Sequence, residues 1–340
     1  MTKQPLISII VPAHNVEQFI DETLETIFQQ TMDFQQLELI LVNDGSTDRS
    51  GSIIDSYAAR YDNVKAIHLS EASGAAGKPR NFGIEAATGE FLLFVDPDDI
   101  FELTACETLY EIATRHNSDI VVGTFSSFSD TFENDQLFQS FDTAIVINSN
   151  VEQHPFFLQI PNNLGAKLYR TSFVKAHHID FPIAVASQDA YFTTKAYLLS
   201  NNISFIPNKI FKYRIRTDAQ NPSITQNRSL KYFRDFSYIR HLLIDLYKEF
   251  PRLNYFDIRY KNDLRWLFYQ LEHVNNISAQ EKIMILQEIS WFVQLATDEM
   301  DIAHVLPWHR FAFFTKIRNH EYEQAITYMN NETHDLFKNI

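Results

Sequence analysis

The segment FVDPDDIF (residues 94–101) sets three carboxylates, Asp96, Asp98 and Asp99, directly after an apolar run. Like charges at that spacing repel and resist desolvation, so a basic side chain or a metal ion must sit against them. Asp96 and Asp98 flank Pro97, and both short side chains can approach one hard divalent cation that keeps positions open for phosphate oxygens. A lone D-x-D is more often a solvated turn and helix cap. Asp99 is expected to brace the turn or to cap a helix beginning near Glu102.

Two other clusters have chemistry to offer. In VNDGSTD, Asp44 sits just past an apolar run, Gly45 permits a tight turn, and Ser46 or Thr47 can cap the next helix, with Asp48 part of that cap. A carboxylate at Asp44 could instead accept the imide N–H of a uracil. GAAGKPRN places Lys78, Pro79 and Arg80 at a helix start, where free N–H groups together with Arg80 make an anion site or, failing that, a solvated basic turn.

These residues need elements to position them. LISIIV (6–11), LELILV (37–42), VKAIHL (64–69) and FLLFV (91–95) read as buried strands. Ile20, Leu24, Ile27 and Phe28 line one face of a helix that Asn15 is expected to cap, and Ile53, Ile54 and Tyr57 mark another. Alternating strands and helices predict a parallel sheet with right-handed crossovers. PAHN, NDGSTD, the stretch ending GKPRN and DPDD then all follow carboxyl ends of strands, where open α/β sheets bind ligands, so the four should converge on one cleft.

Residues 118–125, 166–170 and 209–216 read as further strands, the last two flanking a helix at about 189–200. From 228 the pattern becomes amphipathic helix, to about residue 335. The expected architecture is an α/β, Rossmann-like domain with a mostly parallel central sheet over 1–227 and an all-helical domain over 228–340 that binds an acceptor, self-associates, or both. The tail's Trp266, Trp291 and Trp308 are expected in its core.

Composition bounds the function. The net charge is −14, and residues 228–340 hold 14 Lys and Arg against 15 Asp and Glu, so nearly all of it lies in 1–227. That acidity makes nucleic acid an unsuitable partner. The single Cys106 cannot form an internal disulfide, the apolar start is too short for a signal segment, and no run approaches the roughly 20 apolar residues of a membrane helix. A cytoplasmic protein is expected, with the inner membrane face as a place where it could work.

Taken together, VPAHN, ELILVNDGSTD, GKPRNFGIEAATGEFLLFVDPDD, GAKLYRTSFV and SQDAYFTTKAYL resemble glycosyltransferase family 2, the inverting transferases of GT-A fold, over about residues 5–216. Within it, GKPRN and the helical tail look most like the wall teichoic acid N-acetylglucosaminyltransferases. The resemblance implies that Pro12, Ala13 and Asn15 line the donor's base site, Asp44 binds uracil, and Lys78 and Arg80 contact nucleotide or diphosphate. Asp96 and Asp98 match the D-x-D that holds sugar, ribose and a divalent metal, Mn2+ or Mg2+, on a UDP-sugar. Asp189 matches the general base. The pair reads Gln188-Asp189 where the family has Glu-Asp, so the neighbouring charge that would raise the base's pKa is absent.

The implied reaction is transfer of a sugar, GlcNAc as best guess, to a hydroxyl of a cell-envelope polymer such as teichoic acid, or of a capsule, exopolysaccharide or protein-linked glycan. Lys167, Arg170, Lys175, Lys209, Lys212, Arg214 and Arg216 are read as a landing strip for a polyol-phosphate acceptor or as scattered solvated cations. Two other classes compete. A nucleotidyltransferase would need a Gly-rich basic loop after the first strand, which PAHNVEQF lacks. A non-catalytic partner-binding subunit is kept open by Gln188 and opposed by the joint presence of Asp44, Arg80, Asp96, Asp98 and Asp189.

Overall fold

The structure, a computed structural model, describes residues 4–129, 131–134, 144–217, 226, 228–274, 277–299 and 308–332. It divides into two compact units, Met1–Asn221 and Pro222–Ile340.

In the first unit the strands are β1 (Ile7–Ala13), β2 (Leu37–Asn43), β3 (Val64–His68), β4 (Phe91–Phe94), β5 (Ile100–Phe101), β6 (Ile120–Phe128), β7 (Glu133–Asn134), β8 (Val146–Ser149), β9 (Lys167–Arg170) and β10 (Ile203–Arg214). They form one sheet in the order β3-β2-β1-β4-β9-β6-β10-β5, with β7 beside β6 and β8 beside β10. β3, β2, β1 and β4 are mutually parallel, β9 inserts antiparallel between β4 and β6, and β6 and β10 are parallel again. The helices are α1 (Ile20–Phe28), α2 (Ser50–Arg60), α3 (Gly77–Ala86), α4 (Ala105–Arg115), α5 (Thr171–Ala176) and α6 (Gln188–Leu199).

β1 is buried along its whole length because both of its faces are covered, which is why it reads as an unbroken apolar run. Ile7, Ile9 and Val11 share a core with Ile20, Leu24 and Ile27 of α1, Ile54 of α2 and Leu109 of α4. On the other face α3 comes so close that a Cβ on Gly83 would stand 2.4 Å from Ile10 Cγ2. Only glycine permits that approach, and it seats the start of α3 over the carboxyl ends of the strands.

Several expectations are corrected. β3 is an edge strand, and only Val64 of its five residues is buried. β10 begins at Ile203, six residues before the expected strand, and its register with β6 shifts between Phe205 and Lys209, where Pro207 interrupts the pattern. Asn15 does not cap α1, which starts at Ile20 with Phe19 at the cap position; its backbone is left-handed (φ 51°) and its side chain turns to the β2 loop. Asp99 caps no helix, because residues 100–101 pair with β10 and α4 starts at Ala105.

The second unit contains α7 (Leu230–Lys248), α8 (Lys261–Glu272), α9 (Ala279–Glu299), α10 (Trp308–Arg318) and α11 (Tyr322–Glu332). The end of the expected helical tail, 333–340, lies outside the described residues. Phe233, Phe236, Ile239 and Leu243 of α7 are buried, as are Ile285, Ile289, Phe292 and Val293 of α9, and each such side chain contributes about 1.5–3 kcal/mol by leaving water. Of the three tryptophans expected in this core, Trp266 is 38% exposed, Trp291 is half-buried and donates to the Ser237 hydroxyl at 2.7 Å, and the Trp308 side chain lies outside the described residues. Among the described residues no helix is long and apolar enough to cross a membrane.

Candidate active site

The four loops at the strand ends are bonded to one another in sequence. From the β1 loop, His14 Nδ1 donates to Asp44 O at 2.7 Å, and Asn15 Oδ1 accepts from Thr47 N–H at 2.8 Å. From the β2 loop, Asp44 is 4% exposed and accepts from the Ser73 N–H at 2.9 Å and the Ser73 hydroxyl at 2.8 Å, which ties it to the β3 loop. Gly45, at φ +60°, makes this possible: a Cβ there would meet Ala72 N at 2.4 Å. Arg80, in the first turn of α3, is buried and pairs with Asp96 of the β4 loop. Asp48 is the residue that greets α2, accepting from Ser50 N–H at 2.9 Å, while Ser46 accepts from Asn15 N–H at 3.1 Å. Pro12 and Ala13 close β1 beneath this cluster and are buried.

The three carboxylates after β4 are answered by arginines. Asp98 Oδ2 receives Arg216 Nε at 2.7 Å, and Asp98 O receives Arg214 Nε at 2.8 Å. Asp99 Oδ1 accepts from Arg214 N–H at 2.9 Å, so Asp99 braces the turn against β10. Both guanidiniums lie over Phe19, Arg216 at 4.8 Å and Arg214 at 5.6 Å from the ring centre. Burial pushes the Asp98 carboxyl up, Arg216 opposes the rise and the Asp96 charge adds to it; Asp99 lies well above the usual carboxylate range, chiefly through burial and then through Asp98. Arg214 and Arg216 are the functional neighbours that sequence reading misplaced, since nothing local links them to a turn more than a hundred residues earlier.

Members of the expected landing strip are bonded within the first unit, Lys175 from an exposed position. Lys167 is fully buried and donates to Pro161 O and Asn163 O, Lys175 to Ala87 O at 2.9 Å, Lys212 to Glu133 at 2.8 Å and Arg170 to Glu90 at 3.2 Å. These cations hold the fold.

Asp189 comes into this site from α6. Phe192 and Phe181 stack at 3.9 Å and both meet Phe94 of β4 edge-on, fastening the start of α6 and the loop before it to the sheet. The Asn81 side chain clamps the same loop to α3 from both sides, donating to Phe181 O and accepting from Phe181 N–H, each at 2.9 Å. Ala184 and Ser187 hold left-handed backbone (φ 61° and 60°), a local strain of about 1 kcal/mol or more each that this packing sustains. Burial raises the Asp189 pKa, Arg80 opposes it, and Asp96 raises it further. Asp96 thus supplies the negative neighbour that Gln188 lacks, while the buried Gln188 side chain packs on Gly77 of α3.

Arg80, Asp96, Asp98 and Asp189 are brought together. Asp44 and Asn15 lie on the adjoining loops. Lys78 is turned away: about 200° around α3 from Arg80 at 3.6 residues per turn, it lines a separate cavity of about 530 Å³ with Asn81, Phe82, Glu85 and Lys175. Among the described residues no group of three or more His, Cys, Asp or Glu is arranged as a complete metal site. Asp96 and Asp98 are each paired with an arginine, Arg80 and Arg216 respectively.

A parallel half-sheet whose carboxyl-edge loops enclose carboxylates and a buried arginine defines a GT-A fold, the frame of nucleotide-sugar transferases. The family model described as glycosyl transferase family 2 matches residues 8–191, and the chain belongs to that family of sugar-transferring enzymes. Among curated relatives, the poly(ribitol-phosphate) beta-glucosyltransferase of Bacillus spizizenii is 32% identical over 64% of this chain and 33% of its own length. The poly(ribitol-phosphate) beta-N-acetylglucosaminyltransferase TarS of Staphylococcus aureus is 31% identical over 64% of this chain and 36% of its own. The chain thus spans about a third of the length of these relatives. A crystal structure of S. aureus TarS residues 1–349 with UDP-GlcNAc superposes with a TM-score of 0.71 at 21% identity, covering 97% of this chain and 92% of that one.

Proposed function

We propose that this chain is an inverting, metal-dependent glycosyltransferase that moves a sugar, GlcNAc as first candidate, from a UDP-sugar to a hydroxyl of a polyol-phosphate cell-envelope polymer. The observation that carries the reading is Asp189, a carboxylate with a raised pKa held beside the Arg80–Asp96 pair. The names of the two curated relatives support the acceptor class.

In this reading Pro12, Ala13 and Asn15 line the base site and Asp44 accepts from uracil, sharing its carboxylate with Ser73. Arg80 faces the diphosphate; its Nε is buried without a hydrogen-bond partner among the described residues, a donor that a phosphate oxygen would satisfy. Asp96 and Asp98 would hold Mn2+ or Mg2+, which supplies positive charge for the leaving diphosphate when bound. Asp189 takes the proton of the acceptor hydroxyl as its oxygen bonds to the anomeric carbon from the face opposite UDP, and the bond to UDP breaks with inversion. We place the reaction in the cytoplasm.

The test is UDP release from UDP-GlcNAc and UDP-glucose with poly(ribitol phosphate), with Mn2+ or Mg2+ and then with EDTA. Metal-dependent release with one donor, reduced about 10²–10⁴-fold in Asp189→Asn, is the expected result. A parent protein that neither binds UDP nor releases it would sink the reading.

A further inference from the structure

The second unit carries an ordered aromatic surface that the donor chemistry does not use. On α8, Lys261, Arg265, Trp266 and Tyr269 are exposed, with His273 just beyond the helix, all within about 140° of arc at 3.6 residues per turn. Asp263, Leu264, Leu267 and Phe268 occupy the opposite, buried side.

Single exposed rings are ordinary. These are stacked and fixed. Trp266 and Tyr269 lie 5.7 Å apart at 26°, and Tyr269 and His273 lie 4.4 Å apart at 43°. Trp266 Nε1 donates to the Tyr232 hydroxyl at 3.0 Å, and His273 Nδ1 donates to Tyr269 O at 2.7 Å. Arg228 stands 5.8 Å from the Tyr269 ring centre and is held there by a 2.9 Å bond from its Nε to Gln270 Oε1. Trp266 is 38% and Tyr269 46% exposed, so a pre-ordered aromatic ledge faces solvent with much of its side-chain entropy already spent.

We infer that this ledge docks a linear polyanionic glycopolymer with phosphodiester-linked polyol repeats, its C–H faces lying on Trp266 and Tyr269 and its phosphates against Arg228, Lys261 and Arg265. The inference rests on the acceptor class proposed above and assigns that acceptor a second contact. Charge complementarity favours this occupant. Nearly all of the −14 lies in residues 1–227, which repel a polyanion, whereas the ledge is edged by cations. A second copy docked symmetrically on the same face would bring Lys261 and Arg265 against their own equivalents, a like-charge contact that opposes self-pairing.

The experiment uses the full chain and purified poly(ribitol phosphate), with neutral dextran as control. Binding is measured calorimetrically at low and raised salt for the parent, the pair Trp266→Ala with Tyr269→Ala, and the pair Lys261→Gln with Arg265→Gln. Steady-state transfer and sedimentation velocity are run alongside, with circular dichroism and Trp266→Phe as folding controls. The parent should bind the polymer but not dextran, more weakly as salt rises. The aromatic pair should lose about tenfold in affinity, seen in transfer as a higher KM for polymer rather than a lower kcat; the charge pair should lose severalfold and much of the salt dependence. Parental affinity in both variants overturns the inference, as does a parent that does not bind the polymer. A variant that sediments as a smaller species while binding polymer normally shows the ledge to be a contact between copies, which also overturns it. Transfer with unaltered KM removes the ledge and spares the proposed function; polymer binding without any transfer does the reverse.

Discussion

Arg216 Nε lies 2.7 Å from Asp98 Oδ2, the two side chains being 12% and 11% exposed. The clustered carboxylates that end β4 are thus neutralised from the far end of the sheet, by a residue just beyond β10. The same strand end supplies Arg214 to Asp99 and to the Asp98 carbonyl. This turn is therefore held by cations remote in sequence, and its carboxylates are fixed in position by them.

Arg216→Gln should destabilise the first unit by about 3 kcal/mol, because it strands a carboxylate already raised by burial and by Asp96. Asp98→Asn combined with Arg216→Gln should cost at least about 1 kcal/mol less than the sum of the singles. Urea unfolding of the four proteins measures the coupling, and additive costs would show that the pair is worth nothing to the fold.

Asp189 has a folded pKa above its unfolded value, through burial first and Asp96 later, with Arg80 opposing. Its contribution to stability is therefore fully present below the ordinary carboxylate pKa and is lost as pH rises through the raised value. Asp189→Asn should slow transfer about 10²–10⁴-fold and yet melt a few degrees higher than the parent at neutral pH, with the two melting curves converging in acid. In the parent, kcat should fall with acidification on a limb above the usual carboxylate range, and Asp96→Asn should move the folded pKa of Asp189 down. A nuclear magnetic resonance titration of the Asp189 carboxyl in both proteins checks the second point; an unmoved value would remove Asp96 as its tuning charge.

Gly77, the first residue of α3, packs against the loop that leads into α6 and Asp189. A Cβ there would stand 2.2 Å from Pro182 O, a backbone atom that cannot step aside alone. Gly77→Ala should cost about 1–3 kcal/mol of stability through overpacking and lower kcat by more than tenfold, since misplacing a catalytic group by about 1 Å costs of the order of 10²-fold. An alanine variant with parental kcat would show that the loop accommodates the methyl group elsewhere.

How much of this was legible in the chain depends on what kind of signal each feature leaves. β1, β2 and β4 were readable because strands covered on both faces are written as apolar runs, and the convergence of four polar loops follows from where such strands end. β3 sits at the sheet edge, and the Lys65 and His68 that interrupt VKAIHL are its exposed residues. The partners of Asp98 were not readable, because Arg216 is 118 residues away. The basic excess over 167–216 was visible as charge, but a sequence does not say which carbonyl or carboxylate each cation meets, and Lys167 proved to be a fully buried donor to two carbonyls. Trp266 and Tyr269 stand three apart on α8, a spacing that fits a buried face as well as an exposed one; only the packing tells which.

In the second unit, Asp263 lies between two buried cations, with Arg240 Nη2 at 2.8 Å, Arg259 Nε at 3.7 Å, and a hydrogen bond from the Tyr255 hydroxyl. All three charged side chains are at most 7% exposed, and Arg240 also stacks over Phe236 at 4.0 Å. Removing the carboxylate leaves two cations in an apolar interior, so Asp263→Asn should cost about 3–5 kcal/mol. Arg240→Met should cost less, because Asp263 keeps Arg259 and Tyr255 while the methionine fills the space over Phe236. Since the chain forms two compact units, calorimetry should resolve a transition that Asp263→Asn moves down and another that it leaves in place. If both transitions shift together, the units unfold as one cooperative block; if neither shifts, the buried triad does not hold the helical unit, and its stability lies in the apolar contacts of α7 and α9.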